Sequence, residues 1–259
     1  MRAIAEIGGF FAIRKTLQKR APSGDGHPVL TLPGFMVGDG FTRLMRSFLE
    51  ELGYDPHPWD QGPNLGLRDD ICHNIEQKVV TIHRTTGRKV SLIGHSLGGV
   101  YARAVAHHQP QCVRQIITLG APFNTGFEEH SPEGGGGALA RAYERLNADT
   151  KEDELPNSTL MCFPPPLPST SVYSQGDGIV GWEHCLDIAN DITENIRVPG
   201  SHTGMTHNPL VLHIIADRLA QAEQEWRPFD ASGVPDILLK TACATEVFSW
   251  WERESRPEH

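Results

Sequence analysis

Short apolar strands alternate with amphipathic helices from residue 29 to residue 119, and this alternation restricts the fold more than any other feature of the chain. Strand patterns occupy 29–32, 54–59, 89–94 and 113–119, and helical spacing occupies 41–52, 69–84 and 97–108. Several strands are apolar without interruption, which is typical of a sheet covered on both faces. Parallel strands need helical crossovers, so the pattern predicts an α/β fold with a mostly parallel central sheet flanked by helices.

The alternation stops after Pro122. Residues 123–168 contain a glycine run, a short helical pattern at 138–146, an acidic stretch and a proline-rich piece. This stretch is too long and too polar for a simple connection, so we interpret it as a flexible insertion beside the sheet. Its apolar side chains include Met161, Phe163 and Leu167.

Strand patterns return at 170–173 and 195–198, and a last amphipathic helix is predicted at 208–224. Residues 225–259 are predicted to be a C-terminal extension that packs back on the body. The 259 residues are therefore interpreted as a single domain, 1–259, rather than as two.

Composition excludes several classes of protein. The chain has 23 Lys and Arg against 32 Asp and Glu, a net charge of −9, so nucleic acid is not expected as a partner. Its five cysteines show no metal-type spacing, and we expect no metal and no cofactor. A disulfide such as Cys162 to Cys185 stays open as a minor alternative.

The first twenty residues have helical spacing and end in basic residues. Such a helix either packs on the domain surface or lies on an anionic membrane, and the acidic body favours the first. Glu6 interrupts the apolar stretch and no cleavage site follows, which is poor for a signal peptide. We expect a cytoplasmic protein, with weak membrane-surface contact through this helix as the alternative.

The strand-to-helix step at 89–108 contains the motif Gly94-His95-Ser96-Leu97-Gly98. A serine at a sharp turn after a strand exposes its hydroxyl, and the small residues on either side leave room for that turn. The N–H groups at the start of the next helix, including that of Leu97, face the place where negative charge would develop. Ser96 is therefore predicted to be a nucleophile. His95 occupies a variable position and is given no role.

A serine nucleophile needs a base and an acid in loops after later strands. Asp177 lies just past a strand in a Gly-flanked turn, with Asp187 and Asp191 as competitors. His202 follows the next strand in a Gly/Ser loop. Its rival, His207, is better interpreted as part of a helix start.

An oxyanion hole needs a second N–H besides that of Leu97. The loop after the first strand, Leu32-Pro33-Gly34-Phe35-Met36, is positioned to supply it. We predict the N–H of Phe35, with that of Met36 as second candidate. The neighbouring loop at 59–67 is expected to border the cleft.

The segments Leu32–Phe35, Gly94–Gly99, Asp177–Val180 and Gly200–His202 together resemble the α/β-hydrolase family, closest to its esterase and lipase-like branch, over residues 27–224. The resemblance implies an eight-stranded, mostly parallel sheet. It implies that the insertion at 123–168 is a lid or cap, with Met161, Phe163 and Leu167 as its apolar segment. It also implies a triad of Ser96, His202 and Asp177 that needs no cofactor. Pro33-Gly34 stands where many lipases have His-Gly, which leaves the oxyanion donor open.

The activity implied is a serine hydrolase that cleaves carboxylic esters through an acyl-enzyme, as an esterase or lipase. Its partner would be a small-molecule ester or acyl substrate. The alternatives are an acyltransferase on the same fold and a non-catalytic binding protein with a hydrolase fold.

Overall fold

A computed structural model describes residues 2–124, 137–148, 161–235 and 238. Within these ranges the helices are α1 (Arg2–Arg20), α2 (Asp39–Glu51), α3 (Asp69–Thr86), α4 (Leu97–His108), α5 (Gly137–Asn147) and α6 (Pro209–Ala220). The strands are β1 (Pro28–Leu32), β2 (Asp55–His57), β3 (Val90–His95), β4 (Val113–Leu119), β5 (Ser169–Tyr173) and β6 (Thr193–Arg197).

The six strands form one sheet in the order β2-β1-β3-β4-β5-β6, and every neighbouring pair is parallel. This confirms the predicted α/β architecture. The described part of the chain has six strands in this sheet, whereas the resemblance implied eight. The segment before β1 forms helix α1. The strand order reverses between β1 and β3, and ligands of open α/β sheets bind beyond the carboxyl ends of the strands at such a point.

Each face of the sheet carries its own apolar core. Phe10 of α1, Phe48 of α2 and Ile214 of α6 belong to the cluster on one face. Ile75 of α3 and Val100 of α4 belong to the cluster on the other. Burial on both faces explains why the strands have continuous apolar runs.

Helix α1 packs against the body. Its Phe10 and Leu17 are fully buried, and the Phe10 ring lies edge-on to Phe48 at 6.4 Å. Arg14 forms an ion pair of 2.6 Å with Glu51 of α2. None of the helices in the described ranges has the length and apolar character needed to cross a membrane.

The predicted lid residues differ in their surroundings. Met161 and Leu167 are buried in the same core cluster as α3 and α4, whereas Phe163 is exposed. Arg103 of α4 donates hydrogen bonds to the carbonyls of Met161 (2.7 Å) and Phe163 (2.6 Å). The end of the predicted insertion is thus fixed to the core, and a lid at 123–168 stays a prediction for the remainder.

The structure describes only part of the predicted C-terminal extension. Residues 225–235 and 238 are described, and Leu238 is buried in the cluster that contains α6. The other residues of 225–259 lie outside the described ranges. The four described cysteines, Cys72, Cys112, Cys162 and Cys185, are all free thiols, so Cys162 and Cys185 are not joined.

Candidate active site

Ser96 stands between the carboxyl end of β3 and the start of α4 with φ 52° and ψ −124°. This is a left-handed conformation that a non-glycine residue adopts only where the surroundings enforce it. A methyl group on Gly94 would lie 2.4 Å from the Gly98 oxygen, and one on Gly98 would lie 2.2 Å from the Leu32 oxygen. The two glycines of the motif therefore let β3, α4 and β1 approach closely enough to form the turn.

Asp177 and His202 form a hydrogen-bonded pair in the loops after β5 and β6. His202 Nδ1 lies 2.7 Å from Asp177 Oδ2. The other carboxylate oxygen, Oδ1, accepts the N–H groups of Ile179 (2.9 Å) and Val180 (2.7 Å), which fixes the orientation of the acid. The backbone N–H of His202 also donates to the Asp177 backbone carbonyl at 3.1 Å.

The parallel sheet brings the serine, the acid and the base to one edge, since all three follow the carboxyl end of a strand. The His202 ring lies 4.7 Å, between centroids, from the ring of His95, which directly precedes Ser96. Among the described residues the Ser96 hydroxyl makes no hydrogen bond to His202. Catalytic hydrogen bonds are often long before substrate binds and tighten in the complex, so Ser96 and His202 stay a candidate pair without this bond.

The predicted oxyanion loop lies against the serine. A methyl group on Gly34 would be 3.0 Å from Ser96 Cβ. The N–H of Met36, the second candidate for the oxyanion donor, already donates to the Asn64 carbonyl at 2.7 Å. The side-chain amide of Asn64 in turn donates to the Pro33 carbonyl at 2.9 Å. In the described part of the chain no acceptor is bound to the N–H of Phe35, which is the first candidate.

Comparison with solved structures identifies the architecture. Aspergillus fumigatus lipase B superposes with a TM-score of 0.59 at 16% identity, over 84% of this chain and 60% of that one. A pyrethroid hydrolase from Sphingobium faniae JZ-2 gives 0.51 at 18% identity, over 75% and 97%. The chain has the α/β-hydrolase fold. This confirms the resemblance found in the sequence.

Sequence comparisons agree with that fold. The family described as "PGAP1-like alpha/beta domain" matches residues 67–181 of this α/β-hydrolase-fold chain. A Yarrowia lipolytica protein named "Putative GPI inositol-deacylase C" is 24% identical over 188 residues, 66% of this chain and 21% of that protein. A "Triacylglycerol lipase" of Pseudarthrobacter phenanthrenivorans is 40% identical over 63 residues, 24% of this chain and 18% of that protein. The chain thus spans about a fifth of the length of these curated relatives.

His95 has a role that the sequence motif did not reveal. Its Nε2 lies 2.8 Å from the His202 carbonyl oxygen. Burial lowers the pKa of His95 to about 3, so the ring is neutral and Nε2 carries the proton that it donates to this carbonyl. The second residue of the motif therefore ties the serine turn to the histidine loop of the hydrolase fold.

The competing candidates have other partners. Asp187 forms a fully buried ion pair with Arg103, with distances of 2.5 Å and 3.1 Å, and Asp191 is exposed. His207 immediately precedes Asn208, whose side chain caps α6 by accepting the Leu210 N–H at 2.9 Å. The interpretation of 207–209 as a helix start is confirmed.

A second Ser-His-Asp arrangement lies at the opposite edge of the sheet. His27 Nε2 is 2.8 Å from Ser91 Oγ, and its Nδ1 is 2.5 Å from Asp25 Oδ1. His27 and Ser91 are completely buried, so a substrate has no access to them. Burial, assisted by the positive charge of Arg114, lowers the pKa of His27 to about 4. These three residues form a structural network in which the His27 ring is neutral and the Asp25 carboxylate is ion-paired with Arg88 (2.7 Å) and Arg114 (3.0 Å).

One group among the described residues has the composition of a metal site. Cys72 and Glu76 of α3 and His108 at the end of α4 have ligand atoms within 4.8 Å of one another. His108 Nδ1 already contacts Glu76 Oε1 at 2.6 Å, and burial raises the pKa of the Cys72 thiol, which opposes the thiolate that a metal needs. The group lies at the opposite end of α4 from Ser96.

Helix α5, inside the predicted insertion, contacts the rim of the site. The Tyr143 ring lies 5.2 Å, between centroids, from Phe35 of the oxyanion loop. Asn147 donates to the Leu65 carbonyl at 3.1 Å. Met36, Leu65 and Leu146 on these segments are exposed large apolar residues. The predicted border role of the 59–67 loop agrees with these contacts.

Proposed function

We propose that this protein is a serine hydrolase that cleaves carboxylic esters, with Ser96 as nucleophile, His202 as general base and Asp177 as the acid that orients His202. The observation that carries the proposal is the 2.7 Å hydrogen bond between Asp177 and His202 at the sheet edge where Ser96 holds its left-handed turn. The relatives whose names describe a lipase and a deacylase support the same reaction class.

The hydrogen bond determines the tautomer that the mechanism needs. Because Asp177 accepts the proton of His202 Nδ1, Nε2 keeps a lone pair that can remove the Ser96 proton. The serine oxygen then attacks the ester carbonyl, and the N–H groups of Leu97 and Phe35 stabilise the oxyanion. The alcohol leaves with the proton from His202, and water hydrolyses the acyl-enzyme with the same base.

We further propose that the acyl group is apolar. The exposed apolar residues Met36, Leu65 and Leu146 lie on the segments that border the oxyanion loop, and an apolar rim favours binding of hydrocarbon. The names "Triacylglycerol lipase" and "GPI inositol-deacylase", given to relatives, both describe lipid esters. A net charge of −9 would disfavour retention of the charged acid product.

Turnover of p-nitrophenyl esters from acetate to palmitate, together with fluorophosphonate labelling, tests the proposal. We expect Ser96→Ala to lower kcat by about 10⁴-fold or more and to abolish labelling. Ser91→Ala is the matched control, since it removes the serine of the buried network, and it should keep both signals. Failure of the wild-type protein to label, or labelling that survives Ser96→Ala, would overturn the proposal. Product analysis with a competing alcohol separates hydrolysis from acyl transfer.

A further inference from the structure

The loop that carries His202 closes around a carboxylate from the first turns of α1. Glu6 precedes Ser201 by 195 residues, and only 7% of its surface is exposed. Its Oε1 accepts the Ser201 N–H at 2.9 Å, and its Oε2 accepts the Ser201 hydroxyl at 2.5 Å. A single carboxylate therefore binds both polar groups of the residue directly before His202.

The shape of the loop matches this carboxylate. A methyl group on Gly204 would lie 1.8 Å from Glu6 Oε2, and one on Gly200 would lie 3.0 Å from Oε1. Ser201 Oγ also accepts the Gly204 N–H at 3.2 Å, which closes the turn. The sequence Gly-Ser-His-Thr-Gly thus leaves space for the Glu6 head group on both sides of Ser201.

Docking of α1 does not require this buried charge. Phe10, Leu17 and the Arg14–Glu51 ion pair already attach the helix to the body. Removing a carboxylate from water is costly unless hydrogen bonds replace the lost hydration. Among the described residues Glu6 has no Lys, Arg or His partner, so its bonds to Ser201 provide that replacement. An apolar side chain would dock α1 without this cost.

We infer that Glu6 is a positioning residue that holds the His202 loop in its catalytic place, an inference that rests on the proposed function. The backbone around His202 is held on three sides. The Asp177 carbonyl accepts the backbone N–H of His202, and His95 Nε2 contacts the His202 carbonyl. Glu6 accepts the N–H of the preceding residue, Ser201. Loss of the third contact frees the loop, and a displacement of about 1 Å between reacting groups costs about 10²-fold in rate.

The test compares Glu6→Ala and Glu6→Gln with Arg14→Ala, a control on the same helix that removes the contact to Glu51 but does not touch the loop. Glu6→Ala is expected to lower kcat and the rate of fluorophosphonate labelling by about 10- to 100-fold, with KM changed by less than about 2-fold. Glu6→Gln keeps one acceptor oxygen and should recover part of the rate. Arg14→Ala should label at the wild-type rate.

Amide hydrogen exchange separates positioning from general destabilisation. Exchange of the Ser201 and Gly204 amides should accelerate in the Glu6 variants and stay unchanged in Arg14→Ala. Wild-type labelling and exchange in Glu6→Gln and Glu6→Ala, or an equal loss of rate in Arg14→Ala, would overturn the inference; if Glu6→Ala does not fold, Glu6→Gln carries both measurements. Failure of the wild-type protein to label would instead overturn the proposed function, while the exchange data still decide whether Glu6 holds the loop.

Discussion

Two buried aspartates in the segment between β5 and β6 differ in the partner that each one has. Asp177 and Asp187 are both 6% exposed. Asp187 is neutralised by the guanidinium of Arg103, and its Oδ2 also accepts the hydroxyl of Ser169 at 3.2 Å. Asp177 faces the imidazole of His202 and backbone N–H groups. Only the second environment leaves a carboxylate that can respond to a charge forming on the histidine.

The same substitution should therefore affect catalysis at Asp177 and folding stability at Asp187. Asp177→Asn is expected to lower kcat by about 10³- to 10⁴-fold, because an amide favours the wrong tautomer of His202, with little change in stability. Asp187→Asn leaves Arg103 as an unpaired buried charge and should cost roughly 3–5 kcal/mol of unfolding free energy. Ester turnover and urea unfolding of both variants measure this. An active Asp177→Asn enzyme would contradict the assignment of the acid.

At the scale of secondary-structure elements, the serine turn depends on contact between three of them. Gly98, in the first turn of α4, faces the end of β1, where an added methyl group would overlap the Leu32 carbonyl. A methyl group added to Gly40, in the first turn of α2, would have no neighbouring atom within 4 Å. The two glycines allow a matched comparison within one protein.

Gly98→Ala is expected to destabilise the fold by about 1–3 kcal/mol or more, because β1 and α4 must separate. The same separation would displace Ser96 and lower the rate of fluorophosphonate labelling. Gly40→Ala should change stability by less than about 1 kcal/mol, in the stabilising direction, since alanine has the higher helix propensity. Urea unfolding and labelling rates check both, and equal effects of the two variants would contradict the contact.

The elements that could be predicted from the sequence are those whose signals are local in the chain. The bounds of α4 and β4 agree with the predicted ranges, because apolar periodicity and the motif around Ser96 are local signals. Met161 and Leu167 belong to the segment that the family resemblance predicts to be a lid, yet they lie in the core cluster beside α4. Whether an apolar residue belongs to a lid or a core depends on distant packing, which local pattern does not contain.

The contacts that support the site were missed for the same reason. His95 reaches a carbonyl 107 residues away, and Glu6 reaches a loop 195 residues away. In the sequence, the first is a variable motif position and the second is a charge that interrupts an apolar stretch. A buried acid within an otherwise apolar helical face is the one signal that could have indicated Glu6, since such a charge needs a partner.

At the scale of the whole molecule, two neutral histidines support the opposite edges of the sheet. His27 precedes β1 at the amino edge, and His95 ends β3 at the carboxyl edge. Burial lowers both pKa values, to about 4 and about 3. In the unfolded chain these rings protonate near pH 6.5, the ordinary pKa of histidine. Below that pH the unfolded state binds more protons than the folded state, so stability falls as the pH falls.

The size of this effect follows from the two shifts. Each histidine should contribute a slope of about 1.4 kcal/mol per pH unit between its folded pKa and pH 6.5, so at pH 5 the protein should be about 4 kcal/mol less stable than at neutral pH. His27→Gln should remove about half of that dependence. Ser91→Ala, which deletes the same hydrogen bond but keeps the imidazole, should retain all of it. Urea unfolding between pH 4.5 and 7.5 measures the slopes, and a His27→Gln slope equal to that of Ser91→Ala would show that a charge elsewhere controls acid stability.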